Sequence, residues 1–154
     1  MFDIYMVDPE SPVRKIWVGK EEELINKYQK QGIYCIKIEN NIVYVGKSQD
    51  MLRRIFDHMN NILNKNLTKT HKYVIIREAI DKGYSVTFDV LADCSLMNLD
   101  ELGEKEGELI RLYRPELNTQ IPFKGDYKHW NTNSRAKYVT LKEIMVNYER
   151  SNIG

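Results

Sequence analysis

The chain has 154 residues, 42% hydrophobic and 29% charged, with a formal net charge of +1. A chain of this size holds one domain with short extensions and buries about two-thirds of its extended surface, which excludes wholesale disorder and a need for disulfide staples. No apolar run approaches the ~18 residues of a spanning helix, and Met1–Glu10 carries acids where a secretory signal needs an apolar stretch. Cys35 and Cys94 stand far apart without CxxC spacing. They read as free thiols in a reducing compartment, not as zinc ligands.

Residues 1–31 read as an N-terminal extension. Pro9 and Pro12 punctuate it, and Lys20 to Gln31 predicts a short polar helix anchored by Leu24, Ile25 and Tyr28. Gly32 to Ile38 and Ile42 to Gly46 are rich in β-branched and aromatic residues, which predicts two strands joined by a tight turn. Asp50 to Asn64 predicts a helix, because Met51, Leu52, Ile55, Phe56, Met59, Ile62 and Leu63 share one arc of about 140°. A second helix runs from Tyr73 to Lys82 and stops at Gly83. Ser85 to Asp93 alternates as a third strand. Leu99 to Tyr113 predicts a third helix, capped by Asn98 and closed before Pro115. Thr140 to Glu143 is a capping box that opens a last helix through Tyr148. The order β-β-α-α-β-α predicts an α+β domain built on a small antiparallel sheet.

The charge is uneven. Gly46 to Lys82 holds eight Lys and Arg against four acids, Lys124 to Lys142 holds five against Asp126, and Leu96 to Glu116 holds three against six. Basic segments around an acidic one suit a polyanion and a carboxylate or metal site, but on charge alone solvated helix faces are the simpler reading.

Glu106 is the most informative residue. With Leu99 at zero, the apolar stripe of the third helix centres at about 330°, and Glu106 falls at about 340°. Asp100, Glu101, Glu104 and Glu108 lie on the opposite face. An unpaired buried carboxylate costs several kcal/mol, so Glu106 needs a partner. An ion pair with a buried Arg or Lys meets that need, and so does a role as metal ligand or general base in a cleft. Gly103 and Gly107 flank it, and either make room for a ligand backbone or are incidental. Arg54 and His58 are four residues apart and can serve one site, while Arg53 lies about 140° from His58 and cannot share it. His58 sits at the edge of the apolar stripe, where a structural hydrogen bond is its ordinary use. Tyr34 and Tyr44 share a face only if the hairpin has an odd-numbered loop, such as Glu39–Asn41 with a bulge. No HExxH, GxSxG, GxGxxG or GxxxxGK[ST] motif occurs.

Gly32-Ile33-Tyr34 is followed by Tyr44-Val45-Gly46, then Arg54, His58, Glu106 and Pro115-Glu116-Leu117-Asn118. This ordered set resembles the GIY-YIG nuclease family over residues 32–121. The resemblance implies a three-stranded antiparallel sheet flanked by helices, residues 32–123 as the nuclease core and 124–154 as a basic C-terminal extension with a short helix. It implies hydrolysis of DNA phosphodiesters with one divalent metal, usually Mg²⁺, for which Mn²⁺ substitutes. Glu106 resembles the metal-binding carboxylate and Arg54 the arginine that stabilises charge on the phosphate. Tyr34 or Tyr44 resembles the residue that orients or deprotonates the attacking water. His58 resembles a hydrogen-bonding or proton-relaying helper, and Asn118 an asparagine that closes the site.

Lys47, from its charge and place, and Arg53 are expected at DNA, as are Asn118, Lys124, Lys128, Arg135 and Lys137, with Trp130 among the last group. Val45 stands where the family motif has isoleucine, which conserves shape. No zinc finger or helix-turn-helix is recognisable. The expectation is therefore a stand-alone restriction-type or phage or mobile-element endonuclease. It would work in the cytoplasm of a bacterium or a phage-infected host, away from membranes, with a homodimer or higher oligomer possible. A non-cleaving DNA- or protein-binding module on this fold is the alternative.

Overall fold

The computed structural model describes residues 3–8, 10–64, 70–118 and 139–153. The strands are β1 (Asp3–Asp8), β2 (Ser11–Lys20), β3 (Gly32–Ile38), β4 (Asn41–Ser48) and β5 (Val86–Asp93). The α-helices are α1 (Met51–Leu63), α2 (His71–Asp81), α3 (Leu99–Tyr113) and α4 (Leu141–Ile153). No described helix is long and apolar enough to cross a membrane.

The fold is α+β, but its sheet is five-stranded and mixed, in the order β1-β2-β5-β3-β4. This corrects the expected three-stranded antiparallel sheet. The expected order 32–113 is present, with β3 paired antiparallel to both β4 and β5. The correction comes from the N-terminal segment, where β1 and β2 form an antiparallel hairpin and β2 meets β5 in parallel at Trp17 and Thr87. Ile16 and Val18 of β2 are fully buried, while Val13 is 87% exposed. Pro12 is accommodated at the second residue of β2, where a missing N–H is tolerated. The polar helix expected over Lys20–Gln31 shrinks to a 3₁₀ turn at Glu21–Glu23 and a π-helical turn at Leu24–Tyr28.

A buried carboxylate ties this hairpin to the helices. Asp8 accepts from Arg14 at 2.7 Å and from Arg77 of α2 at 3.3 Å. Arg77 also donates to the Ile62 and Leu63 carbonyls at the end of α1. A shared anion that is hydrogen-bonded on several sides offsets the desolvation that burial imposes.

The sheet separates two apolar clusters. Tyr34, Ile36 and Ile38 of β3 face α1, α2 and α4, while Ile33 and Cys35 face Leu102, Leu109 and Ile110 of α3. The period of two along β3 makes that division. Cys35 and Cys94 are buried free thiols. Asp50 caps α1, Asn98 and Glu101 form a full capping box on α3, and Thr140 accepts the Glu143 amide on α4.

The β3–β4 turn settles the tyrosine register. Ile38 pairs with Asn41, leaving a two-residue turn of Glu39 and Asn40 at φ values of 50° and 66°. Glu39 tolerates that conformation with support from Ser85, whose carbonyl accepts the Glu39 amide and whose hydroxyl donates to its carboxylate. The register then shifts, since Ile36 pairs with Tyr44 and Lys37 with Ile42. Val43 is the extra residue of a bulge. The bulge, rather than an odd-numbered loop, brings Tyr44 to the face of Tyr34.

Strand β4 lies at the sheet edge, and the chain after α3 covers it. The Leu117 amide donates to the Val43 carbonyl, and the Asn118 side chain both accepts from the Val45 amide and donates to its carbonyl, each at 2.9 Å. An amide side chain thus completes the edge as a strand would. Asn118→Ala is expected to cost about 2–3 kcal/mol, because two buried backbone groups lose their partners. Urea unfolding checks this, and a loss below about 1 kcal/mol would show that water replaces the amide.

Candidate active site

The two motif glycines are explained by close approach. A Cβ on Gly32 would land on the Ala92 carbonyl oxygen and within 2.7 Å of Met51 Cε. Gly46 pairs with Tyr34, and a Cβ there would lie 2.5 Å from Tyr34 Oη and 2.6 Å from its Cζ. The ring of Tyr34 therefore lies across bare backbone, a position only glycine permits.

His58 organises the phenols. Tyr34 Oη is 2.6 Å from its Nε2 and Tyr73 Oη is 2.8 Å from its Nδ1. Its ring centroid is 5.4 Å from those of both Tyr34 and Tyr44. His58 is fully buried, and burial, then Arg54 and Lys72, push its pKa down to about 3. The imidazole is neutral at physiological pH, so one ring nitrogen donates and the other accepts. Burial raises the Tyr34 phenol far above its ordinary range and Tyr44 to about 12, and Arg54 opposes both shifts. Both phenols are therefore un-ionised at rest.

Arg54 is half-buried one helical turn before His58 and interacts with Tyr34, Tyr44 and Tyr73. Arg53 is exposed on another face, with its amide held by Asp50. Glu106 is 8% exposed on α3. Burial raises its pKa, while the ammonium and backbone amide of Lys47 pull the other way. Among the described residues it forms no ion pair with an arginine or lysine. Glu106 in turn raises the Tyr44 phenol, so the carboxylate and this phenol share one locality at the β4 edge. Gly103 does leave room beside it, and Lys47 uses that room, with Nζ 3.5 Å from where a Cβ would stand.

The structure thus brings Tyr34, Tyr44, Arg54, His58, Lys47 and Glu106 into one neighbourhood. Asn118 adjoins it through Val45 but is buried with its amide engaged, so it locks the edge strand instead of facing a nucleic acid. Lys124, Lys128, Trp130, Arg135 and Lys137 lie outside the described residues. Two members of the cluster, Lys72 and Tyr73, have no motif in the sequence to announce them. They come from the start of α2, with Lys72 Nζ 4.3 Å from the Tyr44 ring centroid and 5.1 Å from that of Tyr73.

The family described as the GIY-YIG catalytic domain matches residues 30–119, which contain this whole cluster. The chain belongs to the GIY-YIG family. Endonuclease II of Enterobacteria phage T4 is 30% identical over 110 residues, covering 66% of this chain and 79% of that protein. The structure of a bacteriophage T4 EndoII mutant shares the fold, with a TM-score of 0.54 at 22% identity over 74% of this chain and 86% of that one. The GIY-YIG N-terminal endonuclease domain of UvrC from Thermotoga maritima, solved bound to its catalytic divalent cation, aligns at a TM-score of 0.42. It is 24% identical over 66% of this chain and 99% of that one. In this GIY-YIG chain the Gly-Ile-Tyr segment opens β3, and the Tyr-Val-Gly segment lies in β4 opposite it.

Among the described residues no group of three or more His, Cys, Asp and Glu side chains is disposed to hold a metal. Glu106 alone fits a hard cation that keeps its other positions for water and phosphate oxygens, as Mg²⁺ prefers. A buried carboxylate without an ion-pair partner is the donor such a site needs.

Proposed function

We propose that the protein is a divalent-metal-dependent DNA endonuclease in which Glu106 is, among the described residues, the protein ligand to a Mg²⁺ ion. The observation that carries this reading is Glu106, buried and, among the described residues, without an ion pair, beside Tyr44 and Lys47. When bound, the metal supplies charge neutralisation at the phosphate and leaving oxygen.

The chain's own groups do the rest. Arg54 presents a fork of donors to the non-bridging oxygens, where charge builds up in the transition state. Tyr34 gives its O–H to His58 Nε2, leaving oxygen lone pairs to orient the attacking water in line with the scissile bond. In that tautomer His58 Nδ1–H donates to Tyr73, which holds the imidazole in place. The attacking water gives its proton to Tyr34 Oη as the phenol proton passes to His58 Nε2, and Arg54 favours the negative charge that Tyr34 carries during the transfer. Lys47, exposed beside Glu106, meets a backbone phosphate, and Arg53 and the basic residues 124, 128, 135 and 137 extend the contact.

The T4 relative favours a phage or mobile-element role over restriction, and the infected-cell cytoplasm as the place of action. Cutting both strands in one binding event would use two such sites, which a homodimer or higher oligomer would supply. A non-cleaving module would have no use for the carboxylate, guanidinium and phenols held together. Supercoiled plasmid incubated with Mg²⁺ is expected to become nicked or linear, and EDTA to prevent it. Plasmid left intact under both conditions would overturn the reading.

A further inference from the structure

Lys72 stands apart from the residues assigned above. Its ammonium rests over the Tyr44 ring at 4.3 Å and near that of Tyr73 at 5.1 Å. Both contacts are within the reach of a cation–π interaction. Among the described residues it has no carboxylate partner, and its charged neighbour is another cation, Arg54. It also lies in the first turn of α2, which carries no acid, so the helix dipole does not favour a cation there. Burial and Arg54 lower its pKa to about 8. Two half-buried cations that act on each other, against the Tyr44 and Tyr73 rings and, among the described residues, without an ion pair, form a seat that an incoming anion would complete.

We propose that Lys72 is a substrate-binding residue that takes a non-bridging oxygen of a DNA backbone phosphate, beside the one held by Arg54. The Tyr44 and Tyr73 rings fix the direction of its stem, so the ammonium is presented at one place instead of sweeping the surface. The inference deepens the nuclease reading and rests on it. It also differs from a structural role, in which Lys72 would only brace Tyr44.

The test is binding of a short DNA duplex, followed by anisotropy in EDTA across a salt series. It uses the wild type, Lys72→Met and Lys72→Arg, with thermal unfolding of each. Each phosphate contact to duplex DNA contributes about 0.9 to the slope of log affinity against log salt. Lys72→Met is expected to weaken binding about five- to tenfold and to lower that slope by about 1, and Lys72→Arg to restore both. Lys72→Gln supplies the same comparison should Met collapse the site. An unchanged slope overturns the inference, and so does an unchanged slope with a lowered Tm, which would mark a brace for Tyr44. If the wild type neither binds nor cuts DNA, the nuclease reading falls and this inference with it. A cutting wild type beside an indifferent Lys72→Met variant removes the inference alone.

Discussion

Glu106→Gln is expected to lower plasmid cleavage by more than about a hundredfold and, at neutral pH, to raise the Tm. The two effects have one cause. Burial raises the pKa of this carboxyl in the folded chain, so the folded state binds its proton more tightly than the unfolded state does. The stability tied to that proton is complete below the unfolded carboxyl's pKa and is lost as pH rises through the folded value. Glutamine keeps the neutral form at every pH and nearly the same shape. The Tm advantage of the variant should therefore be absent in acid and emerge as the solution approaches neutrality. Calorimetry across that range, beside the plasmid assay, checks both halves. A Tm that falls at neutral pH would mean that Glu106 serves a structural ion pair.

Arg54→Met is expected to reduce cleavage by about 10²–10³-fold, the usual cost of removing one donor aimed at transition-state charge. It also leaves an electrostatic signature that no loss of packing would give. Arg54 follows burial among the causes that lower His58 and Lys72. It is also the cation that restrains the rise of Tyr34 and Tyr44. Without it, the His58 and Lys72 pKa values should both rise, and both phenols should become harder to ionise. Titration of His58 and Lys72 by NMR reads the change directly. Unmoved values would place the guanidinium outside this cluster.

The sequence carries the nuclease core well because its signals are local. The apolar stripe of α3 places Glu106 on the buried side, which Leu102, Leu109 and Ile110 share, while Leu99 and Tyr113 at the two ends of the helix are exposed. Helix α1 and the β3–β4 hairpin follow from patterns a few residues long. The N-terminal hairpin was hidden because its evidence is non-local. Strand β2 has few inward apolar residues, begins beside Pro12, and joins the sheet through β5, far along the chain. Asp8, which fastens it, finds Arg77 69 residues away. The bulge at Val43 is unmarked in the sequence, since Glu39 in a left-handed turn has no glycine to announce it. Lys72 is silent in the sequence for a related reason. The expected second helix began at Tyr73, and only the folded sheet places the preceding residue over the ring of Tyr44.

The account depends on a cation held by the α3 carboxylate at the β4 edge. A crystal soaked in Mn²⁺ tests this most directly, through its anomalous scattering. The prediction is a peak bonded to a Glu106 oxygen, near Tyr44, that vanishes in Glu106→Gln. A Glu106 carboxylate closed onto Lys47, with manganese bound elsewhere or not at all, would contradict it.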